Sequence, residues 1–176
     1  MPSSRRWSRR QYLASGVAVG IGGVAGCISD DDAGTGAWTE FTVEDVRTGD
    51  TVSFDAVETP VIVPTFAVWC LTCASQHGEF RSLLGSVDVD VTVIDLNVDP
   101  NEDADTVANH VEAAGFDWVF AVAPSALTEA LVADFGTAVT SPPSSPVIVR
   151  CPDGTVDTLT KVAPAGTIAT HVREHC

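Results

Sequence analysis

The sequence predicts an α/β fold, a mixed central sheet with helices on both faces in three layers, preceded by a β-hairpin. Three observations predict it. Short apolar runs rich in valine alternate with helix-length segments through the middle of the chain, as in β-α-β units. Near the end, Pro152-Asp153-Gly154 joins two strand-like runs, and a helical stretch follows. Trp69-Cys70-Leu71-Thr72-Cys73 stands where an apolar run gives way to a helix.

Each element has its own warrant. Phe41-Thr42-Val43 and Thr51-Val52-Ser53-Phe54 flank Thr48-Gly49-Asp50 and read as the hairpin. Val61 to Phe66 is a continuous apolar strand of the kind buried on both faces. Ala74 to about Leu84 reads as a helix, bent at Gly78. Val89 to Leu96 is a second buried strand. Asp105 to Ala114 is a helix with Val107, Val111 and Ala114 on one side. Trp118 to Val122 is a short strand, and Ala126 to Phe135 a helix with Leu127, Leu131 and Val132 on one side. The loop Thr140-Ser141-Pro142-Pro143-Ser144-Ser145-Pro146 leads to a strand, Val147 to Val149. Thr155 to Leu159 pairs with it, and Thr167 to Glu174 is the closing helix. No internal repeat is visible.

Two cysteines separated by two residues at a strand-to-helix junction form a redox device. At the helix start, unpaired backbone N–H groups and the helix dipole favour a thiolate on Cys70 and so lower its pKa. Cys73, one turn later, is placed to attack a mixed disulfide and release the product. Half a zinc site has the same spacing, but no second Cys-x-x-Cys or histidine pair follows at zinc-finger spacing. Trp69 and the buried strand before it favour redox work.

The chain of 176 residues suits one domain after a short leader. Ser8-Arg9-Arg10-Gln11-Tyr12-Leu13, then a glycine-rich apolar stretch to Ala25, reads as an export signal over residues 1–26. Val24-Ala25-Gly26-Cys27 ends it like a lipobox, which makes Cys27 the candidate lipidation site; an uncleaved anchor with an incidental cysteine is the other reading. Residues 27–37 are an acidic flexible tether, and the folded domain spans residues 38–176. The formal net charge is -15, and the four arginines of the leader hide part of the imbalance: beyond them, five basic residues face 24 acidic ones. Such a surface excludes nucleic-acid binding, which needs Lys and Arg at phosphates. Strong acidity with a single lysine, Lys161, resembles that of halophilic proteins adapted to concentrated salt.

The order of elements and the dithiol together resemble the thioredoxin superfamily, most of all the extracytoplasmic TlpA-like thiol–disulfide oxidoreductases. The resemblance covers about residues 39–176. Phe66-Ala67-Val68-Trp69-Cys70-Leu71-Thr72-Cys73 matches the family form aromatic-Ala-x-Trp-Cys-x-x-Cys, and the leader resembles a twin-arginine signal. The resemblance implies a thioredoxin-like α/β fold with an N-terminal hairpin extension. It implies Cys70 and Cys73 as the catalytic pair, with no cofactor and no metal. It also implies a cis-proline facing the disulfide: Pro146, directly before a strand and eight residues before Gly154, is the first choice and Pro143 the second. Trp69, Ser145, Pro146 and Pro143 would shape the peptide site. The implied partners are exported cysteine-containing proteins, apocytochromes among them, and a membrane electron donor or acceptor. The implied protein is a monomer, lipid-anchored on the outer face of the cytoplasmic membrane.

Several positions depart from that pattern. Leu71-Thr72 lies between the cysteines, with no proline before Cys73, which leaves the direction of electron flow open. Pro64 stands where thioredoxins bury an acid, and Gln76 where some TlpA-like proteins carry a glutamate. Proton transfer from Cys73 then falls to water or another group. Asp95 is a candidate, though a solvated acid at a strand end is the simpler reading. Cys151 and Cys176 either pair or stay as free thiols. His171, His175 and Cys176 share a helix face that could hold a metal, against a plainly solvated helix end. His77, seven residues after Cys70 on the same helix face, could bias a cysteine pKa, though a surface or packing histidine is the simpler reading, and His110 has no visible partner. A Sco-like copper carrier is the rival from another class, disfavoured by the two-residue spacing. A peroxide-reducing relative would need a Thr-x-x-Cys site and a supporting arginine.

Overall fold

The computed structural model describes residues 36–86 and 88–176. The expected signal, Cys27 and most of the tether lie outside them. A 3-10 turn, Ala37–Glu40, leads into the hairpin β1 (Thr42–Glu44) and β2 (Thr51–Ser53), which pair antiparallel with Val43 opposite Val52. Trp38 is fully buried and meets Phe54 and Phe135 edge-on, at ring-centroid separations of 5.3 and 6.0 Å.

The apolar run after Pro60 forms two short strands, β3 (Val61–Val63) and β4 (Thr65–Phe66), rather than the single strand expected. Pro64 has no N–H to offer a ladder, which accounts for the break. Its carbonyl still accepts from Leu96 N at 3.1 Å, so pairing with the neighbouring strand continues across it. Helix α1 (Leu71–Ser86) follows and runs through Gly78 as one helix.

Strand β5 (Thr92–Asn97) pairs in parallel with β3 and β4 on one edge and with β6 (Val119–Val122) on the other. It starts later than the valine pattern suggests. Its first partner is Val61, just after Pro60, so residues 89–91 have no strand beside them to extend the ladder. Helix α2 (Ala104–Ala114) is capped by Asp103, whose carboxylate accepts from Thr106 N, and stops at Gly115 with φ 65°. Helix α3 (Ser125–Phe135) follows β6, and a 3-10 turn, Thr137–Thr140, opens the proline-rich loop.

Strand β7 (Val147–Arg150) pairs antiparallel with β3 and with β8 (Val156–Leu159), and α4 (Ala165–His175) ends the chain. The sheet order is therefore β6, β5, β3/β4, β7, β8. Val46 N donates to Phe120 O at 2.8 Å, so the hairpin segment covers the outer edge of β6.

Alternate residues of the sheet feed two separate cores. Ile62, Phe66, Val93, Phe120, Val147 and Val149 pack with side chains of α1, α2 and α4. Val61, Val63, Ile94, Leu96, Ala121 and Ile148 pack with Trp38, Phe54 and α3. Cys70 and Cys73 belong to the first core. Among the described residues, no helix is long and apolar enough to cross a membrane.

Candidate active site

Cys70 and Cys73 form a disulfide at the start of α1, with Cα atoms 5.2 Å apart. The local chain dictates the position. Cys70 N donates to Ala67 O and Ala74 N to Cys70 O, so Cys70 begins the first helical turn. Its Sγ accepts the N–H of Cys73 at 3.1 Å, one of the orphan donors of a helix N-terminus. Both cysteines are nearly sealed, at 3% and 1% exposure, whereas the flanking Trp69 and Leu71 are 60% and 85% exposed. The dithiol is thus an edge of the core capped by two apolar side chains open to a partner.

The motif loop is braced from α2's approach. Both Glu102 carboxylate oxygens accept from Val68 N, at 2.9 and 3.1 Å, and Asn97 Nδ2 donates to the same carboxylate at 2.6 Å. Trp69 Nε1 donates to Asp99, and that bond, together with Asn101 N–H, holds the Asp99 carboxyl below the usual carboxylate range. Glu102 carries no sequence signature. Replacing it with Ala leaves the Val68 N–H and the Asn97 amide without their acceptor. We expect Glu102→Ala to lower stability by about 1–3 kcal/mol, read as the urea midpoint of the oxidised protein.

The second wall comes from the proline-rich loop, but not in the form expected. The loop reverses through hydrogen bonds from Ser144 N and Ser145 N, both to Ser141 O at 2.9 Å. That turn makes the reversal a cis X–Pro bond would supply, and the bonds before Pro143 and Pro146 are trans. Among the described residues the cis bond is Lys161–Val162. Pro142 O lies 3.6 Å from Cys73 Sγ, so Pro142 supplies the loop's contact with the dithiol. Pro143 is exposed and Pro146 half-buried. Ser145 is buried, with its hydroxyl 3.2 Å from Thr65 O and 3.1 Å from Lys161 Nζ.

Lys161, from the segment between β8 and α4, is the residue that sequence reasoning missed. Its Nζ lies 3.4 Å from Cys73 Sγ and 2.7 Å from both Thr65 O and Pro142 O. Burial pushes it down to about 8, opposed by the charge of Asp95. Being the one lysine among 176 residues was a signal available from the start. Gln76 holds this segment in place: its side chain donates to Ala163 O at 3.0 Å and accepts from Ala163 N at 2.7 Å.

Asp95 is not a solvated strand-end acid. It sits within β5, which is paired along both edges, and it faces α1, so it is fully buried. His77 of α1 is buried above it, with Nε2 3.0 Å from Asp95 Oδ2. The two side chains are in contact but off the axis of a hydrogen bond, and among the described residues neither has a hydrogen-bond partner for its polar atoms. His110 stacks on Phe66 and lies near His77; burial and then His77 lower its pKa, against Glu102 and Asp95.

Cys151 and Cys176 are joined, with Cα atoms 5.0 Å apart. Cys176 is therefore engaged, while His171 Nε2 lies 3.4 Å from Asp157 and its ring stacks on His175. Among the described residues, no group of three His, Cys, Asp or Glu could hold a metal ion.

No protein-family model and no curated protein matches the sequence. Solved structures do match in shape. A secreted Mycobacterium tuberculosis disulfide oxidoreductase superposes with a TM-score of 0.59 at 12% identity, over 78% of this chain and 98% of its own. The thioredoxin-related protein of Neisseria meningitidis serogroup B gives 0.60 at 15%, over 75% and 96%. BsSco, a member of the Sco family of cytochrome c oxidase assembly proteins in which a disulfide switch was identified, gives 0.61 at 22%, over 76% and 90%. Sheet order, helix placement and these superpositions together make this a thioredoxin-like fold, with Cys70 and Cys73 at the start of its first long helix.

Proposed function

We propose that this protein is a thiol–disulfide oxidoreductase that exchanges its Cys70–Cys73 disulfide with cysteines of exported proteins. One observation carries the reading: the disulfide caps the N-terminus of α1 between exposed Trp69 and Leu71, where a partner can reach it. The electrons reside in the two sulfurs, so the exchange needs no cofactor. The protein works as a monomer outside the cytoplasm, held by a lipid on Cys27 after twin-arginine export, and takes electrons from or gives them to a membrane partner. Apocytochrome cysteines are among its substrates. The Cys151–Cys176 pair supports an oxidising compartment, since such bonds persist there. The secreted oxidoreductase from M. tuberculosis supports the same setting.

A redox titration of the Cys70–Cys73 pair tests the reading and its direction. A potential near about -270 mV marks a reductase and one near about -120 mV an oxidant. Cys70→Ser abolishes catalysed insulin reduction; unchanged activity in that variant overturns the proposal. The likeness to BsSco supports a second reading, a copper carrier on the same fold. Tight one-to-one copper binding by the reduced protein, lost in Cys70→Ser and unaccompanied by disulfide exchange, selects that reading instead.

A further inference from the structure

Lys161 is turned inward onto the dithiol, in a chain with no other lysine. Its three donors have Thr65 O, Pro142 O and Ser145 Oγ as acceptors, and Cys73 Sγ lies against the same nitrogen at 3.4 Å. The three oxygens fix the amine at that place, and the Gln76 clamp on Ala163 fixes the segment that delivers it. We propose that Lys161 is a catalytic residue of disulfide exchange, carrying the proton of Cys73 and holding its sulfur as a thiolate. The inference rests on the oxidoreductase reading.

The charged and titratable groups facing Lys161 favour this role. From α1 come Cys73 and Cys70, with His77 further along the helix beside Asp95. From β5 comes Asp95, whose charge acts on the ammonium. Glu79, on the side of α1 toward α4, is already engaged by Ala165 N at 2.8 Å. The proline-rich loop and β4 present only carbonyl and hydroxyl oxygens. Burial brings the amine to about 8, so at neutral to mildly alkaline pH a useful fraction is neutral and can accept a proton.

In the resolving step, substrate sulfur is bonded to Cys70. The Cys73 S–H proton passes to the neutral Lys161 amine. The Cys73 thiolate attacks Cys70 Sγ, the Cys70–Cys73 bond forms and the Cys70–substrate bond breaks. The substrate sulfur leaves with the electron pair and takes up a proton. The dithiol has lost two electrons, and the substrate disulfide has gained them. In reverse, a substrate thiolate attacks Cys70 and Cys73 departs as a thiolate beside the Lys161 ammonium, which makes it a better leaving group.

Two measurements on the full chain test this. In the first, oxidised protein is opened with dithiothreitol across a pH series, quenched with an alkylating reagent, and each cysteine pair is followed by peptide mass spectrometry. We expect Lys161→Met to slow opening of Cys70–Cys73 at least tenfold near neutral pH, and Lys161→Arg, which keeps the charge, to recover most of that rate. Wild-type rates in Lys161→Met overturn the inference. If wild-type Cys70–Cys73 opens no faster than Cys151–Cys176, the oxidoreductase reading falls instead. The second measurement needs no variant. Carbon-13 labelling at lysine gives one resonance, and its titration midpoint moves up by about one pH unit or more on reduction, because a thiolate beside the ammonium favours its charged form. An unmoved midpoint overturns the inference even where Lys161→Met does not fold.

Discussion

Cys73→Ser turns the protein into a trap: mixed disulfides with substrate accumulate on Cys70, and turnover falls at least a hundredfold. The asymmetry of the site leads to this result. Cys70 sits at the helix start, where its sulfur accepts the Cys73 N–H and its chain neighbours Trp69 and Leu71 are exposed. Cys73 lies behind it at 1% exposure, against Pro142 O and Lys161. On the proposed function a substrate reaches Cys70 first, and Cys73 is the group placed to displace it. Well-oriented intramolecular groups act at effective concentrations of roughly 10⁵ M or more. External thiols at millimolar levels cannot replace that, so the serine variant stalls after the first bond. Non-reducing electrophoresis with an insulin or peptide substrate reads the adduct, and Cys70→Ser forms none. A Cys73→Ser protein that turns over at the wild-type rate without adduct would show that the order of attack is wrong.

The dithiol was legible because its chemistry is local: spacing, a preceding strand and a following helix all lie between Val61 and Leu84. The order of strands was legible for the same reason, each run carrying its own period. What escaped depended on neighbours that sequence does not display. Asp95 looks like the polar end of a valine strand, yet β5 continues to Asn97 and is flanked on both edges, which buries the carboxylate under α1. Residues 89–91 look like strand, yet β3, which runs parallel, has not begun beside them: its first residue, Val61, is opposite Thr92. Pro146 has the right offset from Gly154, but the turn closed on Ser141 O makes the reversal before it. Lys161 lies in a connection with no period at all. Only tertiary folding brings it from 88 positions away to Cys73. Gln76 reads as the loss of an acid in sequence and as a two-bond clamp in space.

Removing the second disulfide lowers stability without touching the exchange chemistry. Cys151 follows β7 and is 1% exposed; Cys176 ends α4; the bridge closes a stretch 25 residues long. Loop-closure entropy for that length corresponds to about 3.5 kcal/mol, a large share of the roughly 5–15 kcal/mol that holds a domain together. The constraint also falls on a helix that needs it. α4 contributes Ile168, Ala169 and Val172 to the same core as the dithiol, and its first residue follows the segment bearing Lys161 and Ala163. With the bridge gone, α4 keeps that apolar face, Glu79 at Ala165 N, His171 beside Asp157, Arg173 on Asp88 O and the Gln76 clamp. We expect Cys151→Ala with Cys176→Ala to melt about 10 °C below the wild type, with both proteins oxidised at Cys70–Cys73. At 25 °C, where the folded state still dominates, the Cys70–Cys73 pair keeps its redox potential, because neither alanine touches it. A melting shift under about 2 °C would mean that the loop is already ordered without the bridge, and that the apolar face and polar contacts of α4 dock it unaided.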